Sequence, residues 1–446
     1  MTAGGRELHA SLKRSARTHP ECARPAFEFL TGFEGTHIFG SGYDILETTE
    51  HTTRFEEDLL LLAGDGLRSF RACIPWHRVE QQRGIYDWTW TDRYLNFAYS
   101  LGLNVIADPL HHTSFPEWLQ GGFVNSEFPS CYLAFLQAFA RRYPWIERYT
   151  IINEPFVTAW LCGNCEIWHP HHSGDKGFVP MLLAVAETIC RATAELERII
   201  PNVIFVHADS CERHVALDQE SQWQADRGNH LRFLLLDLVL GEVHKDHPLW
   251  HYVVEHEHKQ CRLAWLRDNP AHIDVLGLDY YSHSELAWTK HGRADVHPVV
   301  GFKAVALEYA ERYRMPIMLS ETNLRGTIAD RISWLRYMAL ECESLAAELA
   351  GLGHPMVGFC WYPFVDSTDW CSLVTQANRR IDPQGIYWLD SCFERNRSAL
   401  SDVYRALARG AIRPVDIPSY EFGDGALVER GVRNYLPHIR RQAAQR

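Results

Sequence analysis

Apolar runs of strand length alternate with amphipathic segments of helix length along most of the chain. Eight runs rich in apolar residues lie at residues 26–33, 67–76, 103–110, 148–153, 202–210, 273–281, 315–321 and 356–364. Segments with a helical repeat of apolar positions lie at residues 52–66, 91–102, 130–142, 178–199, 223–240, 256–268, 301–312, 328–349 and 394–408. Continuous apolar runs are typical of strands buried on both faces of a parallel sheet. The pattern predicts strands that are each followed by helix.

Eight strands in this arrangement predict an α/β protein, a closed (β/α)8 TIM barrel with elaborated βα loops. The alternative is an open nucleotide-binding sheet, but no G-x-G-x-x-G or P-loop motif follows any predicted strand. No linker rich in Pro, Gly or Ser divides the chain, so residues 26–410 are predicted to form one barrel domain. We expect residues 1–25 to be an N-terminal extension and residues 411–446 to be a tail, packed on the barrel or partly flexible.

Composition and charge narrow the classes of function. Apolar residues make up 46% of the chain, which is typical of a globular protein with a full core. The net charge of −12 is spread out without a basic stripe, which disfavours nucleic acid and anionic membranes as partners. No segment has the apolar length of a signal peptide or a membrane span, and the twelve cysteines are too scattered for a disulfide framework. We therefore expect free thiols and a cytoplasmic location.

Two glutamates follow apolar runs, at positions that suggest a catalytic role. Glu154 follows the run YTIIN, and Glu321 follows PIMLS. A carboxylate at the end of a buried strand is desolvated unless a partner or substrate compensates its charge. Such positions are used for acid and base catalysis, but structural ion pairs also occur there, so both interpretations stay open.

The unusual residues lie where this fold builds its active sites, at the carboxyl ends of the strands. Carboxylates on strands four and seven would face each other across the barrel mouth. A separation of about 5–5.5 Å would indicate a retaining glycosidase, and one of about 6.5–9.5 Å an inverting one. The polar and aromatic residues at strand ends are Arg71, His111, His112, Asn153, Glu154, Asp279, Tyr281, Glu321, Trp361, Asp366, Asp369 and Trp370.

Several segments carry a family resemblance. YTIINEPFVTAW resembles the Asn-Glu-Pro acid/base segment of glycoside hydrolase family 1 and its clan of retaining (β/α)8 glycosidases, and LSETN resembles the nucleophile motif Thr-Glu-Asn-Gly. LRSFRACIPWHRVE, LHHTSFPEWL, GLDYY and WYPFVDSTDW are similar to the family's segments at strands two, three, six and eight. The resemblance runs in one order from about residue 30 to residue 390.

The resemblance implies that Glu154 is the catalytic acid/base and Glu321 the nucleophile. It also implies that Arg71 and the Tyr281 hydroxyl stabilise the charge of Glu321, and that Asn153 binds the sugar 2-hydroxyl. No cofactor and no metal are expected. The remaining implied residues are Trp361 as an apolar floor and His112, Asp369 and Trp370 as readers of sugar hydroxyls.

Departures from the family pattern affect the choice of sugar. Asp279 stands where the family has Asn, Asp369 where it has Glu, and Thr113 where it has Trp. The first predicted strand lacks the family's glutamine motif, and Glu34 or His37 is a candidate to replace its contact. The sugar therefore cannot be named from the sequence.

Two further motifs have competing interpretations. His169, His171 and His172 could bind a metal, contact a sugar or form a solvated loop, and we favour the last two because a fourth ligand is missing. Cys162 and Cys165 form a Cys-x-x-Cys without a second zinc pair, which favours ordinary thiols.

The sequence thus predicts a retaining β-glycosidase, a hydrolase that cleaves a small or aryl β-glycoside through a covalent glycosyl-enzyme. Two alternatives remain, a transglycosylase that uses the same two glutamates and a non-catalytic carbohydrate-binding barrel. The expected partner is a small-molecule glycoside, with a homo-oligomer possible.

Overall fold

The computed structural model of the protein describes residues 27–257, 261–294, 299–423 and 430–444. Eight parallel strands, numbered β1 to β8, close into a barrel in which each strand pairs with the next and β8 pairs with β1. The predicted (β/α)8 TIM barrel is confirmed. The predicted N-terminal extension lies outside the described residues. The strands are Glu28–Gly32, Ser69–Cys73, Asn104–Asp108, Arg148–Tyr149, Ile204–Ser210, Val275–Asp279, Ile317–Thr322 and Met356–Trp361.

Eight outer helices, α1 to α8, surround the strands: His51–Asp65, Thr89–Ser100, Phe128–Arg142, Gly174–Ile199, Gln222–Val239, Phe302–Tyr313, Ile328–Leu352 and Ala399–Ala408. The helix predicted over residues 394–408 begins late because the Ser398 side chain accepts the N–H groups of Leu400 and Ser401 and caps α8. The helix predicted over 256–268 is divided into Trp250–His256 and Cys261–Asp268, with residues 258–260 outside the described part.

Additional elements lie in the loops. One is the helix Pro155–Gly163, which starts directly after Glu154. A three-stranded sheet of Arg213–Ala216, Glu285–Thr289 and Gly292–Ala294 joins the loops after β5 and β6. The other pieces are the strand pairs His37–Ile38 with Tyr43–Asp44, Ser367–Thr368 with Ile381–Asp382, and Trp388–Leu389 with Arg395–Asn396; the helices Ile45–Thr48, Trp76–Val79 and Leu436–Ala444; and the 3-10 turns Gly122–Val124, Gln219–Ser221, Trp370–Ser372, Pro414–Asp416 and Arg430–Tyr435.

Apolar side chains fill two regions. A small cluster inside the barrel includes Leu30, Ile106, Val206 and Met318, and a much larger one packs the strands against the helices. The described part of the C-terminal tail packs on the barrel, since Ile417 is fully buried there. All eleven cysteines in the described residues are free thiols.

Helix α4, Gly174–Ile199, corrects one expectation. By length and hydropathy alone this helix is apolar enough to cross a membrane. The expectation that no segment has the apolar length of a membrane span was therefore wrong. In the structure, 78% of its apolar window is buried against the rest of the protein, as in the core helix of a globular domain.

Candidate active site

Glu154 lies at a sharp turn at the mouth of the barrel. The strand predicted over residues 148–153 ends early at Tyr149, and the chain reaches Glu154 with a left-handed φ of 40°. Its backbone N–H donates to the Ala208 carbonyl at 3.0 Å, and Pro155 then opens a helix, a position that suits the fixed φ of proline. A left-handed non-glycine residue is strained and is often found at functional sites.

Glu321, near the end of β7, has a cationic partner and a hydroxyl partner. Arg71 donates to Oε1, and the Tyr281 hydroxyl donates to Oε2 at 2.6 Å. The three side chains come from β7, β2 and the loop after β6. Charge-assisted hydrogen bonds to both oxygens stabilise the ionised form of Glu321.

Three carboxyl groups meet at this point. One oxygen each of Glu154, Asp279 and Glu321 lies within 4.8 Å of the others. Burial and the charges of Glu321 and Asp279 raise the pKa of Glu154 well above its ordinary value. Burial and Glu321 likewise raise the pKa of Asp279, which accepts the Ser320 hydroxyl at 2.6 Å. Like charges this close do not all ionise, and the raised pKa values favour a proton on Glu154 and on Asp279.

Arg71 connects Glu321 to polar groups in the barrel interior. Besides Glu321, its guanidinium donates to Asn153 Oδ1 and lies 3.3 Å from Asp108 Oδ2. Its carbon Cζ also stands 5.1 Å from the centre of the Tyr362 ring. Arg71 is thus both a partner in a buried ion pair with Asp108 and a neighbour of Glu321.

A second ionic group adjoins Arg71. His111 places Nδ1 2.6 Å from Asp108 and Nε2 3.1 Å from Glu34. Burial acts to lower the pKa of His111, but the neighbouring negative groups outweigh it and raise this pKa well above the usual value. Burial acts to raise the pKa of Glu34, yet His111 and Thr36 lower it to about 2. An imidazolium between two carboxylates fits these shifts.

Two clusters in the described residues have a spacing that a metal ion could use. One is the three carboxyl groups at the mouth, and the other is Cys73, Asp108 and His111. Burial raises the pKa of Cys73 to about 11, which keeps it a neutral thiol and a poor ligand. Arg71 already provides a positive charge beside both clusters, at Glu321 and at Asp108. The side chains thus neutralise both sites without an ion.

A cavity of about 220 Å³ opens beside the carboxylates. Among the predicted residues, His112, Glu154, Tyr281, Glu321 and Trp370 line it. The His112 ring lies 3.7 Å from Glu154, and burial lowers its pKa well below the ordinary value, which makes it a neutral imidazole. The buried Trp370 indole nitrogen has no hydrogen-bond partner, so it is free to donate to a ligand.

Other candidates take different positions. Arg71 and Asn153 are fully buried and do not line the cavity. Glu34 lines it, whereas His37 stacks on His77 with ring centres 3.9 Å apart and does not. Asn153 is connected to Glu321 through Arg71, because its amide oxygen accepts a hydrogen bond from the guanidinium that also donates to Glu321.

Besides Asn153, two residues expected in the sugar site do not line the cavity. Trp361 is fully buried, and its indole N–H donates to the Gln384 carbonyl at 2.9 Å. Asp369 accepts the Tyr43 hydroxyl and the backbone N–H groups of residues 378–380, so its oxygens hold a loop together. Its carboxylate is not available to read hydroxyls. The structure corrects the prediction for Trp361 and Asp369.

Several residues that line the cavity were not predicted from the sequence. Ser210 ends β5 and Glu212 follows it, and the strand-end rule that selected Glu154 would have selected both. His283 follows β6, and Asn323 and Arg325 follow β7, in the same way. Leu373 and Gln384 had no such signal because they come from the middle of the long loop after β8.

The His169–His172 loop forms none of the metal clusters found in the described residues. His169 packs against Phe39 with ring centres 4.5 Å apart, and His171 Nδ1 lies 3.0 Å from the Glu166 carbonyl. These contacts give the loop a packing role. Cys162 is buried and Cys165 is half-buried, both as free thiols.

No protein-family model matches the chain. Among solved structures, the β-glucosidase from Thermotoga maritima in complex with glucoimidazole matches with a TM-score of 0.72 and 14% sequence identity, over 86% of this chain and 97% of that chain. The complex of Thermotoga maritima β-glucosidase with deoxynojirimycin gives the same values. The structure described as a family 1 β-glucosidase from Thermotoga maritima has a TM-score of 0.71 at the same identity and coverage. At this identity the comparison establishes a shared fold.

Proposed function

We propose that the protein is a retaining β-glycosidase that hydrolyses a small or aryl β-glycoside through a covalent glycosyl-enzyme. The observation that carries the proposal is the pairing of Glu321, held by Arg71 and Tyr281, with Glu154, whose pKa is raised by burial and by Glu321. Carboxyl oxygens within 4.8 Å of each other suit the ~5–5.5 Å separation of retaining enzymes and leave little room for an inverting water.

In the first step, a Glu321 oxygen attacks the anomeric carbon and forms an acylal ester bond. The bond from that carbon to the leaving oxygen breaks, and Glu154 gives its proton to the departing group. Arg71 and Tyr281 keep Glu321 anionic and oriented until the attack. The barrel wall thus supplies a nucleophile fixed from two sides.

In the second step, Glu154 acts as a base. Once Glu321 is esterified, its negative charge no longer raises the pKa of Glu154, which can then accept a proton. Water attacks the anomeric carbon, transfers its proton to Glu154 and releases the sugar with retained configuration. The two carboxyl groups return to their starting protonation states.

The cavity suits a single sugar ring. Its volume of about 220 Å³ is below the ~300–1,000 Å³ of pockets that hold drug-sized ligands. Trp370 offers an unpartnered indole N–H, and His112 and Glu34 line the same space. The likeness in fold to β-glucosidases is consistent with this assignment.

Transfer to an acceptor other than water is a second candidate. One observation favours it, a large apolar chamber that adjoins the cavity and could hold an acceptor in place of water. The two reactions share the first step and separate at the second. Product analysis with and without added alcohol distinguishes them.

The test is release of nitrophenol from a panel of nitrophenyl β-glycosides that differ in the sugar. The wild type is expected to hydrolyse one sugar, Glu321→Gln to be inactive, and Glu154→Ala to regain turnover with azide. Asp402→Asn on the exposed part of α8 is a control with unchanged activity. Sugar binding without turnover in the wild type would instead support a non-catalytic carbohydrate-binding barrel.

A further inference from the structure

A second and larger chamber adjoins the catalytic cavity. Its volume is about 730 Å³, against about 220 Å³ for the cavity beside Glu154. Five residues line both spaces, so the two lie side by side. These shared residues are Val157, Leu161, Glu212, His283 and Leu373.

Three elements contribute most of the large apolar side chains of the chamber. The helix Pro155–Gly163, which begins next to the acid/base glutamate, contributes Phe156 and Trp160. Helix α5 contributes Leu231, and the strand Glu285–Thr289 contributes Leu286 and Trp288. A group that leaves from the sugar toward Glu154 therefore meets aromatic and aliphatic surfaces.

Most polar side chains of the chamber are already engaged within the protein. Arg227 donates to both oxygens of Asp175 at 2.8 Å. Arg232 donates to the Glu212 carbonyl at 3.0 Å and also binds Glu308. Of the other polar side chains that line the chamber, Gln224 has a buried amide oxygen with no hydrogen-bond partner, and Arg293 has its guanidinium carbon 5.8 Å from the centre of the Trp288 ring.

The shortage of free polar groups bears on what the chamber binds. A second sugar would bring several hydroxyls into a wall with few groups to pair with them, and unpaired buried polar groups are costly. An apolar group would leave no polar atom unpaired, and its transfer from water into the chamber would be favourable. Trp223, an aromatic side chain 61% exposed beside the chamber, offers further surface of the same kind.

We infer that the substrate is an amphiphilic glycoside, with one sugar in the catalytic cavity and a long or bulky apolar aglycone in the chamber. This inference rests on the proposed function and specifies its substrate class. Disaccharides and longer oligosaccharides are then not the preferred substrates. The Gln224 oxygen would accept a hydrogen bond from a single donor group on the aglycone.

The test compares kcat/KM for methyl, butyl and octyl β-glycosides of the preferred sugar, together with a disaccharide of it, all below their micelle concentrations. We expect a rise of about threefold to fourfold per added methylene until the chamber is full, the fold-change for burying one methylene. A flat alkyl series, or a disaccharide preferred over the octyl glycoside, overturns the inference. Continued hydrolysis of the nitrophenyl glycoside in that case leaves the proposed function standing.

Single substitutions test whether the preference for the octyl glycoside arises in the chamber. Trp223→Ala and Leu286→Gln are expected to reduce the octyl-to-methyl preference about tenfold. Trp388→Ala and Leu60→Gln replace exposed apolar residues outside both spaces and should leave the preference as in the wild type. Equal effects of all four variants would show that the preference does not arise in the chamber.

Binding provides a readout that does not need turnover. Octyl glycoside should change the tryptophan fluorescence of the intact protein and bind Trp223→Ala about tenfold more weakly. If no glycoside is hydrolysed but this binding is seen, the proposed reaction fails and the chamber assignment stands. If the wild type does not bind octyl glycoside, the chamber assignment fails.

Discussion

Arg71 donates a hydrogen bond to Glu321 although the two residues are 250 positions apart in the chain. Strands β2 and β7 carry them, and closure of the barrel brings their side chains together. The same guanidinium contacts Asp108 and Asn153, so one cation serves several buried polar groups. The geometry at Glu321 therefore depends on the barrel as a whole.

Arg71→Met should destabilise the protein and remove most of its activity. The substitution leaves Glu321 and Asp108 buried without their cation, and breaking a buried pair in this way costs about 3–5 kcal/mol. Urea unfolding and kcat on a nitrophenyl glycoside provide the two measurements. Arg148→Met, on the neighbouring half-exposed pair with Glu28, is the control and should cost about 1 kcal/mol or less. Equal losses in both variants would argue against a special role for Arg71.

Glu154→Gln should stabilise the protein at neutral pH while it impairs catalysis. Burial raises the pKa of Glu154 above its ordinary 4.5, so the folded protein binds more protons and loses stability as the pH rises from 4.5 through the raised pKa. A neutral amide removes that loss, and we expect a gain of about 0.5–2 kcal/mol at neutral pH. Unfolding curves at neutral pH and at about pH 4 measure it, since the gain should vanish in acid. A gain that is the same at both pH values would contradict the raised pKa.

Asp279→Asn should retain activity. Burial and the charge of Glu321 raise the pKa of Asp279, which makes it a neutral carboxylic acid that an amide closely matches. The amide oxygen can still accept from Ser320, so kcat/KM should stay within about threefold of the wild type. Steady-state kinetics near neutral pH provide the measurement. A loss beyond about a hundredfold would mean that the reaction needs an ionised Asp279.

Glu34→Gln should lower stability at neutral pH. The pKa of Glu34 falls from 4.5 to about 2 in the folded protein, so its stabilisation is present above pH 4.5 and is lost as the pH falls toward 2. The shift corresponds to about 3 kcal/mol, an order of magnitude that the variant should lack. Denaturant titrations of both proteins at neutral pH and near pH 3 test this, because the difference should shrink in acid. Glu117→Gln, which changes an exposed carboxylate in the loop after β3, is the control.

The sequence predicts the barrel and the carboxyl pair because both depend on local pattern. Buried strands show as apolar runs, and the fold fixes where their carboxyl ends lie, which is how Glu154 and Glu321 could be paired. Trp361 was misplaced because side chains alternate along a strand. Cys360 and Tyr362 point into the barrel, and Trp361 between them points to the outer core.

Other features depend on contacts that no local pattern reports. Asp369 is occupied by backbone N–H groups about ten residues away, and only the folded loop shows that they converge on its oxygens. The apolar chamber is assembled from several separate segments, and no local pattern in the sequence shows that they meet. The pKa of Glu154 likewise depends on Asp279, whose proximity to it is set by tertiary structure.

The most direct test of the account is to trap the covalent intermediate. The protein is incubated with a 2-fluoro β-glycoside that carries a good leaving group, because the fluorine slows release of the sugar from the enzyme. Mass spectrometry of the intact chain and of its peptides then locates the label. The account predicts one added glycosyl unit on Glu321, and none in Glu321→Gln. Turnover without any covalent adduct, or an adduct on another residue, would contradict it.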